Sequence, residues 1–240
     1  MRVSLVGVSS AFGSLEVLRD ISLDISPGTI TAVLGTNGSG KTTLLRLLAG
    51  ILAPTRGEVR YDEAVLTRRR LDLRRRAMFI ADAPLVLPES ALISWIGTCL
   101  RVYEVERPDV EAAVSRLLDD LDLATMAGIP LANLSRGQVY KAALASLLAV
   151  DPDLWLLDEP FASGMDPAAL SLFTDAARAA AGRGRSVVFG TQMLDLATRL
   201  ADRVIVLHGA GVARSGSMQD IAADGEGLHA MFEQLRRGRV

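Results

Sequence analysis

The stretch that most restricts what this chain can become is Gly35-Thr36-Asn37-Gly38-Ser39-Gly40-Lys41-Thr42-Thr43. It fits the pattern G-x-x-x-x-G-K-[ST]. The apolar run Thr29 to Leu34 leads into it and reads as a buried strand. Leu44 to Ala49 leads out at helical spacing. Strand, glycine loop and helix together form a cradle for phosphate. Gly35, Gly38 and Gly40 let the backbone turn sharply, so that its N–H groups aim inward. Those donors and the positive end of the helix suit a polyphosphate. Thr36, Asn37, Ser39 and Thr43 complete the loop. Lys41 would reach the β- and γ-phosphates, and the Thr42 hydroxyl would ligate Mg²⁺.

A chain of 240 residues holds one large domain, or a domain with an inserted lobe. The net charge of −2 argues against a nucleic-acid binder that relies on a broad basic surface. No nucleic-acid partner is therefore expected. Lysine occurs only at Lys41 and Lys141, so one of the two stands where a phosphate loop needs a compact charge. Cys99 is the single cysteine, which fits a reducing compartment. His208 and His229 are too few for a zinc site. The first residues, Met1 to Val6, lack the apolar core and cleavage site of a signal peptide. No apolar run approaches the roughly 18 residues that a membrane span requires. Any service to a membrane would run through another chain.

Along the chain, residues 3–8 and 21–26 read as short strands around a loop from Ser9 to Leu18. Ala53 to Gly57 would end the helix after the phosphate loop. Glu58 to Tyr61 and Ala77 to Ile80 read as strands. Between them lies the arginine-rich run Thr67 to Arg76. It would meet an anionic partner such as lipid headgroups or form a solvated face, and the solvated face is the expectation. Residues 89–149 carry helical patterns: Ser90 to Val102, a helix opened by Pro108 and running through Leu118, and Gly137 to Val150. Trp95, Tyr103 and Met126 would serve packing there. Strand signals return at Leu154 to Leu157, Ser186 to Phe189 and Val204 to Leu207. Helices from Ala168 to Ala181 and Met193 to Leu200 separate them. This alternation indicates an α/β fold with a mostly parallel sheet and an inserted helical lobe. The tail from Ser217 to Val240 reads as two short helices.

Two further constellations carry chemistry. The apolar run Leu154-Trp155-Leu156-Leu157 ends in Asp158-Glu159. An acid at the end of a core strand, in a chain with a phosphate loop, has the task of holding Mg²⁺. Asp158 would do so, and Glu159, one step further out, would polarise the water that attacks the γ-phosphate. Leu134-Ser135-Arg136-Gly137-Gln138 precedes a helix. The Ser135 hydroxyl and the N–H groups there would bind a second anion, or simply cap the helix.

Together these motifs resemble the ATP-binding cassette (ABC) ATPases. Gly35–Thr43, the segment Leu134–Gln138 that is similar to the family signature LSGGQ, and Leu154–Glu159 occur in the family's order and at similar spacing. The resemblance spans residues 3 to 216. It implies a P-loop NTPase core of residues 1–86 and 150–216, with an N-terminal antiparallel β portion. It also implies a helical lobe of residues 87–149 and a short helical tail of residues 217–240. ATP and Mg²⁺ are the implied cofactors. Two cassettes pair head to tail in the family, so Ser135, Gly137 and Gln138 would complete the site of a second copy, in all expectation a homodimer. Phe12, before Gly13, matches the aromatic that stacks on adenine. Ser163-Gly164-Met165-Asp166 matches the D-loop, with Asp166 reaching across the dimer or capping the helix from Pro167.

Three positions depart from the family pattern. Asp82 stands where the family has a glutamine between core and lobe. It adds a negative charge that Mg²⁺ or a positive group must offset, so it joins Thr42 and Asp158 as a candidate metal contact. Gln192 stands where the family has its switch histidine. Its amide can donate a hydrogen bond to the γ-phosphate but carries no imidazolium charge. Arg136 replaces a signature glycine. Catalysis would rest on Lys41, Glu159 and Gln192, with hydrolysis retained but slowed. The implied function is the ATPase subunit of an ABC transporter, driving a separate membrane-spanning permease. It would be cytoplasmic and peripheral on the inner face of the membrane, and of exporter type because the tail leaves no room for an added regulatory domain. The alternative is a soluble ABC ATPase acting as an assembly factor or ATP-gated switch.

Overall fold

The computed structural model describes residues 1–160 and 165–223. Its N-terminal strands β1 (Val3–Phe12) and β2 (Leu15–Ile25) form a long antiparallel hairpin. They leave only Gly13 and Ser14 to turn the chain, Gly13 at φ +61°. The loop expected from Ser9 to Leu18 is therefore strand. Its small and charged residues hide an alternation in which Val8, Ser10 and Leu18 face inward. β4 (Arg56–Tyr61) and the two-residue β5 (Ala64–Val65) complete a sheet of order β2-β1-β4-β5.

The second sheet has the order β10-β9-β3-β8-β7-β6. Its strands are β3 (Ile30–Leu34), β6 (Ala77–Ile80), β7 (Leu154–Asp158), β8 (Ser186–Thr191), β9 (Arg203–His208) and β10 (Gly211–Ser217). All of its pairs are parallel except β9 with β10. The central strands are apolar on both faces because both faces are covered. Ala32, Trp155, Leu157, Val187 and Phe189 join one hydrophobic cluster, while Val33, Leu154, Leu156 and Val188 join another. On the second side α1 (Lys41–Leu48) lies between the two sheets. Its Leu44, Leu45, Leu47 and Leu48 bury against both, beside Val3, Leu5, Ile21 and Val59. The helix stops at Ala49 rather than near Gly57. Gly50, at φ +65°, turns the chain there, and Gly57 instead sits in β4 with its Cα against the backbone of Val6 and Gly7.

On the first side lie α3 (Leu92–Val102), α4 (Val110–Asp120), α5 (Arg136–Val150), α6 (Pro167–Gly182) and α7 (Leu194–Leu200). α5 is buried nearly all round, with Tyr140, Ala142, Leu144, Ala145, Leu147 and Ala149 in the core. It anchors the helical lobe to the sheet. Pro108 does not open α4. The chain turns at Arg107 to Asp109, and Asp109 takes the cap position. In the arginine-rich run only α2 (Leu71–Arg74) is helical. Arg70 pairs with Asp72, Arg75 with Glu104, and Arg76 with both Asp62 and Asp153, as befits a solvated face. One helix of the expected tail, α8 (Met218–Ala223), is present, and the second lies outside the described residues. β10 escaped the sequence reading because a polar edge strand, Gly211 to Ser217, has no apolar alternation. Among the described residues no helix is long and apolar enough to cross a membrane.

Candidate nucleotide site

β3, β7 and β8 are neighbours, and their C-terminal ends open on one crevice. That is where open α/β sheets bind ligands. A cavity of about 430 Å³ lies there, lined by Leu15, Val17, Asn37, Gly38, Gly40, Lys41, Thr42, Thr43, Asp82, Asp158 and Glu159. The phosphate loop and both acids of the β7 terminus are thus brought together.

The loop has its shape because glycine stands where no side chain fits. A Cβ on Gly35 would fall 2.2 Å from Ser39 Oγ and 2.9 Å from the Leu207 carbonyl oxygen. Gly40, at φ +100°, would place one 2.7 Å from the Leu18 side chain. Leu44 N–H closes the first helical turn on the Gly40 carbonyl at 2.8 Å. Lys41 is only 6% exposed. Its ammonium donates to the carbonyls of Gly35 (3.0 Å) and Thr36 (3.3 Å) and lies 3.3 Å from Glu159 Oε1. The charge is therefore already poised over the loop.

Thr42 Oγ1 donates to Asp158 Oδ2 at 2.6 Å. The other carboxylate oxygen, Oδ1, is buried without a protein hydrogen-bond partner. Burial pushes the Asp158 carboxyl above its ordinary range, against the pull of the Thr42 hydrogen bond and Lys41. A buried carboxylate oxygen with spare capacity, beside a threonine hydroxyl, fits Mg²⁺. That ion takes one or two protein oxygens and draws its remaining ligands from water and phosphate. When bound, it would neutralise charge building on the phosphate oxygens.

Glu159 is held from three sides. Its backbone sits at φ +44°, a left-handed conformation that costs a residue with a side chain on the order of 1–2 kcal/mol. Its N–H donates to the Gly190 carbonyl at 2.9 Å. Its carboxylate meets Lys41 through Oε1 and accepts the Gln192 N–H at 3.4 Å through Oε2. The Gln192 side chain itself is exposed. Gly190 belongs to the site as well. A Cβ there would come within 3.3 Å of Asp158 Oδ1 and 3.5 Å of Lys41 Cβ. Sequence reasoning missed Gly190, Leu15 and Val17; the signal for the first was a lone glycine ending an apolar strand.

Asp82 lines the same cavity and pairs with a basic side chain. Arg136 Nη2 donates to its Oδ1 at 2.7 Å. The positive group that offsets Asp82 is thus the arginine that breaks the signature pattern.

The remaining candidates do not line this cavity. Ser135 and Gln138 form a reciprocal capping box at the start of α5. Ser135 Oγ accepts the Gln138 N–H at 3.3 Å, and Gln138 Oε1 accepts the Ser135 N–H at 2.8 Å. Gly137 lies between them. Asp166 caps α6 by accepting the Ala169 N–H at 2.8 Å, and pairs with Lys141 of α5. Ser163 and Gly164 lie outside the described residues. Phe12 stands 53% exposed at the end of β1, opposite Leu15.

The family model described as ABC transporter matches residues 18–162. The nickel import ATP-binding protein NikO of Rhodobacter capsulatus is 35% identical over 91% of this chain and 90% of its own length. The aliphatic sulfonates import ATP-binding protein SsuB of Granulibacter bethesdensis is 39% identical over 88% of this chain and 82% of its own. The Nod factor export ATP-binding protein I of Bradyrhizobium diazoefficiens is 33% identical over 87% and 68%. A solved structure described as the ATP binding subunit of an ABC transporter has the same fold, with a TM-score of 0.91 and 24% identity. It covers 98% of this chain and 100% of its own. The phosphate loop, Asp158 and Glu159 meet in one crevice, and the chain belongs to the ABC transporter family as one of its ATP-binding, ATP-hydrolysing subunits.

Proposed function

We propose that this cassette powers an import-type transporter, working as a homodimer on a separate membrane-spanning permease at the inner face of the cell membrane. The observation that carries the ATP-driven part is the pinned carboxylate of Glu159, beside Lys41 and one residue beyond Asp158. Glu159 takes the proton of the attacking water, Lys41 and the loop N–H groups hold the phosphates, and Thr42 with Asp158 holds Mg²⁺. Phe12, exposed at the end of β1, stacks on the adenine. Ser135, Gly137 and Gln138 serve the second copy's nucleotide from the exposed start of α5.

The shortness of the tail gives no support to an exporter. NikO, an import protein, is matched over 90% of its own length, so the likeness to an import subunit extends over nearly all of it. Import proteins also supply the support for the direction proposed.

The test is steady-state ATPase activity of the purified wild type against Glu159→Gln. Loss of the general base is expected to lower turnover by about a hundredfold or more while ATP binding persists. Equal rates would remove the hydrolytic role. Co-expression with a multi-span permease should bring the chain to the membrane fraction, and uptake of cargo into vesicles with the cassette outside would fix the direction.

A further inference from the structure

Asp82 and Arg136 each break the family pattern, and in the fold they meet. Asp82 follows β6 on the core side, two residues beyond Ile80. Arg136 is the first residue of α5 on the lobe side. Their 2.7 Å hydrogen-bonded ion pair spans the boundary at the rim of the nucleotide cavity. Three carboxylates, Asp82, Asp158 and Glu159, line a cavity built for a polyphosphate. Glu159 is met by Lys41 and Asp158 by the Thr42 hydroxyl, both from the loop itself. Asp82 is met by a cation from the other lobe.

We propose that Arg136 is a positioning residue for nucleotide binding: it holds the Asp82 carboxylate and offsets its charge, so that the cavity takes Mg²⁺-ATP more readily while this contact is kept. The inference rests on the reading of the cavity as an ATP site. The side chains are 59% and 43% exposed, so the pair adds little to stability. Its effect falls on the anion that enters beside it. A carboxylate that loses this partner repels a polyphosphate entering the cavity it lines, and salt weakens that repulsion.

The experiment is calorimetric titration of the purified full chain with Mg²⁺-ATP. In about 50 mM salt, Arg136→Gly is expected to weaken binding about tenfold, with the gap closing as salt is raised toward ~0.5 M and the melting temperature unchanged. Adding Asp82→Asn to that variant should return the affinity to within about threefold of wild type, because the charge to be cancelled is gone. Arg136→Lys should hold most of the affinity. Arg136→Gly binding as tightly as wild type, or a double variant as weak as the single, would overturn the inference. A wild type that binds no Mg²⁺-ATP would instead overturn the reading of the site, and the inference with it.

Discussion

At the scale of single residues, function here is written as local discomfort. Asp158 is 4% exposed, and burial raises its pKa. A carboxyl with a raised folded pKa stabilises nothing above that pKa. Where the carboxyl is ionised the native state bears the cost of its charge, and that cost is relieved as the pH falls through the folded value. Asp158→Asn keeps an acceptor for Thr42 and removes the charge. We expect it to melt higher than wild type at pH 7 without nucleotide, by about 2–4 °C for each kcal/mol relieved, and to lose Mg²⁺-dependent hydrolysis. The advantage in melting temperature should shrink as the pH is lowered toward 4. A lower melting temperature at pH 7 would contradict this account. Gly35→Ala acts sterically. Its Cβ would meet Ser39 Oγ and the Leu207 carbonyl, the latter a backbone atom that cannot swing aside. ATP binding should fall below detection by titration, while the circular dichroism of the chain stays native.

Among the elements, α5 carries most of the connection between site and scaffold. Its first turn presents the signature and its body fills the core. Ser135 caps it reciprocally with Gln138, so Ser135→Ala should cost about 1 kcal/mol of stability in denaturant unfolding, before any effect on the second copy's nucleotide. What was legible in the sequence follows the same division. β3, β7 and β8 were readable because strands buried on both faces must be apolar throughout, and the phosphate loop because its glycines obey a steric rule. The β1–β2 hairpin and β10 were not, since strands with polar outward faces and small residues leave only a faint alternation. Phe12, Ser135 and Asp166 stand out in the sequence as site residues only through the family resemblance, and none of them lines the cavity around Lys41 and Glu159. The Asp82–Arg136 pair was invisible for another reason. The two residues are 54 positions apart in sequence, and no local pattern joins them.

For the molecule as a whole, half of each nucleotide site is expected to come from another copy. Glu159→Gln with Mg²⁺-ATP should therefore run at twice the monomer mass in light scattering and return to the monomer when the nucleotide is removed. A monomer at saturating ATP would exclude the homodimer. The topology also has a consequence for how the site is made. β8, residues 186–191, is inserted between β3, residues 30–34, and β7, residues 154–158. During synthesis the phosphate loop leaves the ribosome early and waits while more than half the chain follows. Its two acids gain their place beside it only when a late strand slides between two earlier ones. Such long-range parallel pairing is slow. Nascent chains ending before Thr191 should bind no ATP, so nucleotide affinity reports the insertion of β8, and the cell's own ATP becomes a ligand that selects chains that have made this step.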